Sequence, residues 1–216
     1  MAMIKKIGVL LILFFTISAS AQQPDTRILF LLDGSGSMYA KMGSDSRITI
    51  AKRLLSRLVD SLQSQNNLEL ALRVYGHQSQ KTERNCADTK LEVPFSKNNH
   101  REIKESIVDL KPKGTTLIAY SLQEAAYDFP RTPGTRNIII LITDGIEECD
   151  GDPCAVSTAL QKQGVVLRPF IIGLGLDDQF RNQFECVGRF FEAATEDDFE
   201  EVLNVVISQA INNTSA

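Results

Sequence analysis

The chain has 216 residues, of which 27 are acidic and 23 basic, and 43% are hydrophobic. No basic patch stands out, which argues against nucleic acid as a partner. The absence of Trp weakens any case for a sugar-stacking module. At the N-terminus, Lys5-Lys6, the apolar run Ile7 to Ile17 and the small residues Ala19-Ser20-Ala21 read as a secretory signal peptide, residues 1–21, cut before Gln22. That run falls short of the ~20 residues that span a bilayer, so no stable membrane insertion is expected after cleavage. Residues 22–216 are read as one domain of net charge −6, since Lys5 and Lys6 leave with the leader.

Apolar runs of strand length alternate with segments of helical period. Residues 27–32 read as the first strand. Residues 46–63 place Ile48, Ala51, Leu54, Leu55, Leu58 and Leu62 three and four apart, an amphipathic helix. Leu68 to Tyr75 is a second strand, and a short one follows near Leu91 to Pro94. Residues 98–109 are weakly helical. Thr116 to Asp128 is helical until Pro130 and Pro133. The Ile/Leu run Asn137 to Thr143 suits a strand buried on both faces. Pro153 to Gln163 reads as a helix with Pro at its start. Val165 to Ile172 is another strand, and 177–187 a helix. Arg189 to Phe191 reads as a short strand, and a last helix is capped by Thr195. This alternation predicts an α/β fold: an open, mostly parallel, doubly wound sheet with helices on both faces.

The most informative stretch is Asp33-Gly34-Ser35-Gly36-Ser37, at the end of the first strand. A carboxylate and two hydroxyls at alternate positions suit a hard divalent cation. The glycines let the backbone bend so that the three side chains converge. Open α/β sheets hold their ligands at such strand ends. Two further segments belong with it: Lys113-Gly114-Thr115-Thr116 before a helix, and Ile142-Thr143-Asp144-Gly145 at the end of the central strand.

Together these three parts resemble the metal-ion-dependent adhesion site of the von Willebrand factor type A domain, and the resemblance covers essentially the whole mature chain. It implies Asp33, Ser35, Ser37, Thr116 and Asp144 as metal ligands. Thr116 is preferred to Thr115 because Ala119 stands three residues after it, as in the family; Leu117 stands where many members have Pro. The resemblance further implies sheet order 3-2-1-4-5-6 with one short antiparallel edge strand. The implied cofactor is a divalent cation, Mg²⁺ before Mn²⁺ or Ca²⁺. The implied partner is a protein that offers Asp or Glu to the metal, and no catalytic residue is implied. Glu147-Glu148-Cys149-Asp-Gly-Asp-Pro153-Cys154 resembles a cysteine-bearing bacterial branch of the family.

In an exported chain, four cysteines suggest disulfides. Cys149 and Cys154 flank a tight stretch and are expected to pair, which leaves Cys86 and Cys186 as a second pair or Cys186 free and buried. Glu147, Glu148, Asp150 and Asp152 lack the full Ca²⁺-loop spacing and read as a solvated turn. His77 reads as a loop hydrogen-bonding residue, and Gly173-Leu174-Gly175 as a tight turn. The functional alternatives are a metal-dependent hydrolase or phosphatase using Asp33, and a metal-free structural domain.

Overall fold

The computed structural model of the protein describes residues 25–165, 168–176, 178–193 and 195–212. The expected signal peptide, and residues 22–24 and 213–216, lie outside the described residues. Among the described residues six strands form one sheet: β1 (Thr26–Asp33), β2 (Leu68–Tyr75), β3 (Thr89–Ser96), β4 (Arg136–Thr143), β5 (Phe170–Gly173) and β6 (Arg189–Glu192). Their order is β3-β2-β1-β4-β5-β6. All neighbours run parallel except β3, which pairs antiparallel with β2 at one edge. That edge position accommodates Pro94, which has no N–H to give to a ladder.

Among the described residues, six helices cover the sheet: α1 (Arg47–Ser61), α2 (His100–Val108), α3 (Ile118–Asp128), α4 (Pro153–Lys162), α5 (Asp178–Phe184) and α6 (Glu196–Asn212). Alternation along β1 divides the core. Ile28, Phe30 and Leu32 pack with residues of α1, α2 and α6. Leu29 and Leu31 face the other way, toward α3 and Phe184 of α5. Every residue of β1 is buried, as a strand covered on both faces requires.

Several boundaries move for physical reasons. The strand expected from Val165 begins at Phe170, directly after Pro169, while residues 166–167 lie outside the described residues. Helix α3 starts at Ile118, so Thr116 sits in the loop before it. A two-stranded ribbon, Lys41–Met42 with Asp45–Ser46, turns at Gly43 and has no apolar signal in the sequence. The expected cap of α6 is present and reciprocal: Asp198 N–H donates to Thr195 Oγ1, and Thr195 N–H donates to Asp198 Oδ2.

The expected Cys149–Cys154 disulfide is corrected. Cys86 pairs with Cys149, and Cys154 with Cys186. Cys154 lies in the first turn of α4, beside the turn after α5 that carries Cys186. Cys149 lies in the preceding loop, next to the loop that follows β2. Each cysteine therefore meets a partner distant in sequence, and no free Cys186 remains.

One buried ion pair anchors β2 to the far end of α3. Arg73 donates from Nε to Asp128 Oδ2 at 2.6 Å and from Nη2 to Asp128 Oδ1 at 2.8 Å, both side chains nearly enclosed. Removing one member of such a pair strands the other charge. Asp128→Ala is expected to lower stability to urea by about 3 kcal/mol, and a double Arg73→Met, Asp128→Leu variant to recover most of it. A loss below about 1 kcal/mol in Asp128→Ala would contradict this anchoring role.

Candidate functional site

The parallel register brings the C-terminal ends of β1 and β4 side by side. Leu32 stands opposite Ile142, so Asp33 reaches the level of Thr143, and Asp144 follows in the loop. Three loops converge here through main-chain hydrogen bonds. Gly36 N–H donates to Gly114 O, Gly114 N–H to Gly76 O, and Lys113 N–H to Gly34 O. The glycines serve close approach more than bending. A Cβ on Gly34 would lie 2.8 Å from Tyr75 O, and one on Gly76, where φ is +65°, would lie 2.6 Å from Thr115 O.

Within this junction the side chains form a single network. Asp33 is fully buried; its Oδ1 accepts from Ser35 N–H at 2.7 Å and its Oδ2 from Thr143 Oγ1 at 2.7 Å. Thr143 is itself fixed by Tyr75, whose hydroxyl donates to Thr143 Oγ1 at 3.1 Å. Ser37 Oγ donates to Asp144 Oδ1 at 2.8 Å and lies 2.9 Å from Ser35 Oγ. A hydroxyl has one proton, so Ser35 donates to Ser37. Thr116 joins from the third loop: a Cβ on Gly145 would stand 3.6 Å from Thr116 Oγ1 and 3.9 Å from Ser37 Oγ. Asp33, Ser35, Ser37 and Asp144 thus share one network with Thr116 beside it, while Thr115 lines a neighbouring groove.

A protein-family model for the von Willebrand factor type A domain matches residues 28–205. The chain belongs to this family. It is 31% identical over 193 residues to the uncharacterized protein YwmD of Bacillus subtilis (strain 168), a match covering 85% of each chain. The crystal structure of BatB from Bacteroides thetaiotaomicron superposes with a TM-score of 0.70 at 20% identity, over 87% of this chain and 99% of that one. Proximal thread matrix protein 1 from the mussel byssus, whose adhesion-site motif is occupied by zinc, gives 0.66 at 18% identity, over 87% of this chain and 46% of that one. At such identities the two structures establish the fold.

Sequence reading passed over several residues that shape this A domain's site. Arg47, the first residue of α1, donates from Nη1 to Asp144 Oδ2 at 2.8 Å. A cation in the first turn opposes the helix dipole, so its place there is explained by Asp144 rather than by the helix. Glu147 and Glu148 were read as a solvated turn, yet Glu147 Oε2 accepts from Ala119 N–H at 2.7 Å and Glu148 Oε2 from Thr116 N–H at 3.1 Å. They satisfy open donors at the start of α3. Burial alone would raise the Glu148 pKa; hydrogen bonds from Lys81 and Thr116 outweigh it, and the net shift is downward. His77 Nε2 meets Glu92 Oε1 at 2.8 Å, in keeping with a loop hydrogen-bonding role. Gly175, at φ +64°, makes the expected turn.

The donor set suits a hard cation: two carboxylates and three hydroxyls, all oxygen. Among the described residues no three His, Cys, Asp or Glu side chains gather as a metal site, so the hydroxyls are essential to the fit. Asp33 carries the electrostatic sign of such a site. Burial first, and the charge of Asp144 second, raise its pKa from 3.8 to about 6, against the hydrogen bonds from Ser35 and Thr143.

In the metal-free protein this raised pKa makes the folded state bind the proton more tightly than the unfolded chain. The stability tied to Asp33 is then full below pH 3.8 and is lost as pH rises through about 6. Metal-free Asp33→Asn is expected to be more stable than wild type at pH 7.5, on the order of 2 kcal/mol, with the gain fading toward pH 4. Urea melts in EDTA at both pH values check this. A gain that is absent, or equal at both, would contradict it.

Proposed function

We propose that the protein is an exported, divalent-cation-dependent binding module that captures an acidic side chain of a partner protein. The observation that carries this reading is the convergence of Asp33, Ser35, Ser37 and Asp144 in one network, with Thr116 at its edge. These five residues would hold the cation. A bound Mg²⁺, or Mn²⁺ or Ca²⁺ in its place, would supply an electrophilic centre with exchangeable water positions. Hydroxyl ligands are neutral, and Arg47 offsets part of the charge of Asp144. The loaded site therefore keeps a net positive charge, which favours an anionic ligand. Membership of the family supports a protein-interaction role in general.

Export is supported by the leader read at residues 1–21 and by the pairing of all four cysteines, which suits an oxidising compartment such as the periplasm or the extracellular space. Among the described residues no helix is long and apolar enough to cross a membrane. The phosphatase alternative would use Asp33 as a nucleophile. Asp33 is fully buried and both of its oxygens accept hydrogen bonds, which disfavours attack on a substrate.

A ligand that binds only the folded state raises its melting temperature by mass action. Mg²⁺ at about 100 times its Kd is expected to add about 2.7 kcal/mol, a rise of roughly 5–10 °C for a domain of this size. In Asp33→Ala the rise is expected to vanish, and neither protein should hydrolyse a phosphate ester. An equal rise in both, or Mg²⁺-dependent phosphatase activity lost in the variant, would overturn the reading.

A further inference from the structure

A groove of about 570 Å³ adjoins the candidate metal centre, lined by Lys81, Thr82, Arg84, Thr115 and Glu148. Its two inner walls belong to the centre's own framework. Thr115 precedes Thr116 in the chain, and Glu148 accepts the Thr116 N–H. Its outer wall is the loop after β2, fastened to the β4–α4 loop by the Cys86–Cys149 disulfide and by the ion pair of Lys81 Nζ with Glu148 Oε1 at 2.8 Å. The groove and the metal centre therefore hold a fixed relation to one another.

The groove's own lining sets two cations, Lys81 and Arg84, against the single carboxylate of Glu148, although the chain is acidic overall. Carboxylates in these loops are engaged by main-chain donors. Glu83 accepts from Gln80 N–H, Asp88 from Gln78 and Ser79 N–H, and Asp152 from Ala155 N–H, as Glu147 and Glu148 do at α3. Asp150 is the exception. The cations are not consumed in the same way. Lys81 shares one half-exposed pair, and the exposed Arg84 guanidinium has no partner among the described residues. Arg84 is displayed on a left-handed residue, φ +45°, that ends the short 3-10 turn Lys81–Glu83. At the groove wall, Thr115 Oγ1 is buried without a hydrogen-bond partner in the protein.

We propose that this groove takes a second carboxylate of the same partner, so that the protein recognises an acidic segment with at least two carboxylates rather than a lone Asp or Glu. This rests on the cation-dependent capture proposed above. The metal centre holds one carboxylate, and Arg84 with Lys81 holds the next. Guanidinium and ammonium donors match carboxylate oxygens, and two linked contacts on one rigid frame reinforce each other.

Calorimetric titration compares hexaglutamate with N-acetylglutamate amide, at matched free Mg²⁺ and again in EDTA. Wild type is expected to bind hexaglutamate about tenfold more tightly than the single carboxylate in Mg²⁺. Arg84→Glu should remove that difference while leaving the Mg²⁺-induced rise in melting temperature intact. Arg84→Gly, which suits the left-handed backbone, should do the same in smaller measure. Equal binding of the two probes by wild type, or an undiminished preference in both variants, would overturn the groove. Hexaglutamate binding that is equal in Mg²⁺ and EDTA yet lost in Arg84→Glu would overturn cation-dependent capture and leave the groove standing.

Discussion

Two carboxylates, Asp33 and Asp144, are held together at the ends of adjacent parallel strands with little water to screen them. In a buried setting like charges repel strongly, and the protein answers with donors. Ser35 N–H and the Thr143 hydroxyl engage Asp33, while the Ser37 hydroxyl and Arg47 engage Asp144. Even so, Asp33 stays easier to protonate than an ordinary carboxylate. A site that strains against its own charge is what a divalent cation would relieve, and that strain is the physical basis for the proposed function.

The rest of the architecture holds this arrangement in place. The sheet core supplies rigidity, since β1 and β4 are packed on both faces by apolar side chains. Tyr75 fixes Thr143 from β2, and Glu147 and Glu148 tie the β4–α4 loop to the start of α3. The Cys86–Cys149 disulfide then links that loop to the one after β2. Donor residues from three loops are thereby kept in register, which a flexible cluster of oxygens could not do without losing entropy on binding.

Much of this was legible in the sequence because it rests on local pattern. The uninterrupted run Ile28 to Leu32 and the run Ile138 to Ile142 announce strands covered on both faces, and Asp33 and Asp144 stand directly at their exits. The amphipathic spacing of α1 and the Thr195 cap are equally local. What depended on the meeting of distant loops was not legible. The nearness of Cys149 and Cys154 in sequence suggests a pairing, yet each bonds a cysteine brought to it from elsewhere in the chain, 63 and 32 positions away. Arg47 follows an ordinary helix cap, Ser46, and nothing in its spacing reveals that it meets a residue 97 positions away. Glu147 and Glu148 read as solvated charge because their donors, the N–H groups of Ala119 and Thr116, come from the distant segment at the start of α3. Only the exits of the strands could be placed beforehand; the walls around them could not.

The most direct test of the account is anomalous scattering from crystals grown with Mn²⁺. The account predicts one strong peak among Asp33, Ser35, Ser37, Thr116 and Asp144, with coordinating oxygens at about 2.0–2.3 Å. Density there that shows no anomalous signal, or a Mn²⁺ peak seated elsewhere on the chain, would contradict it.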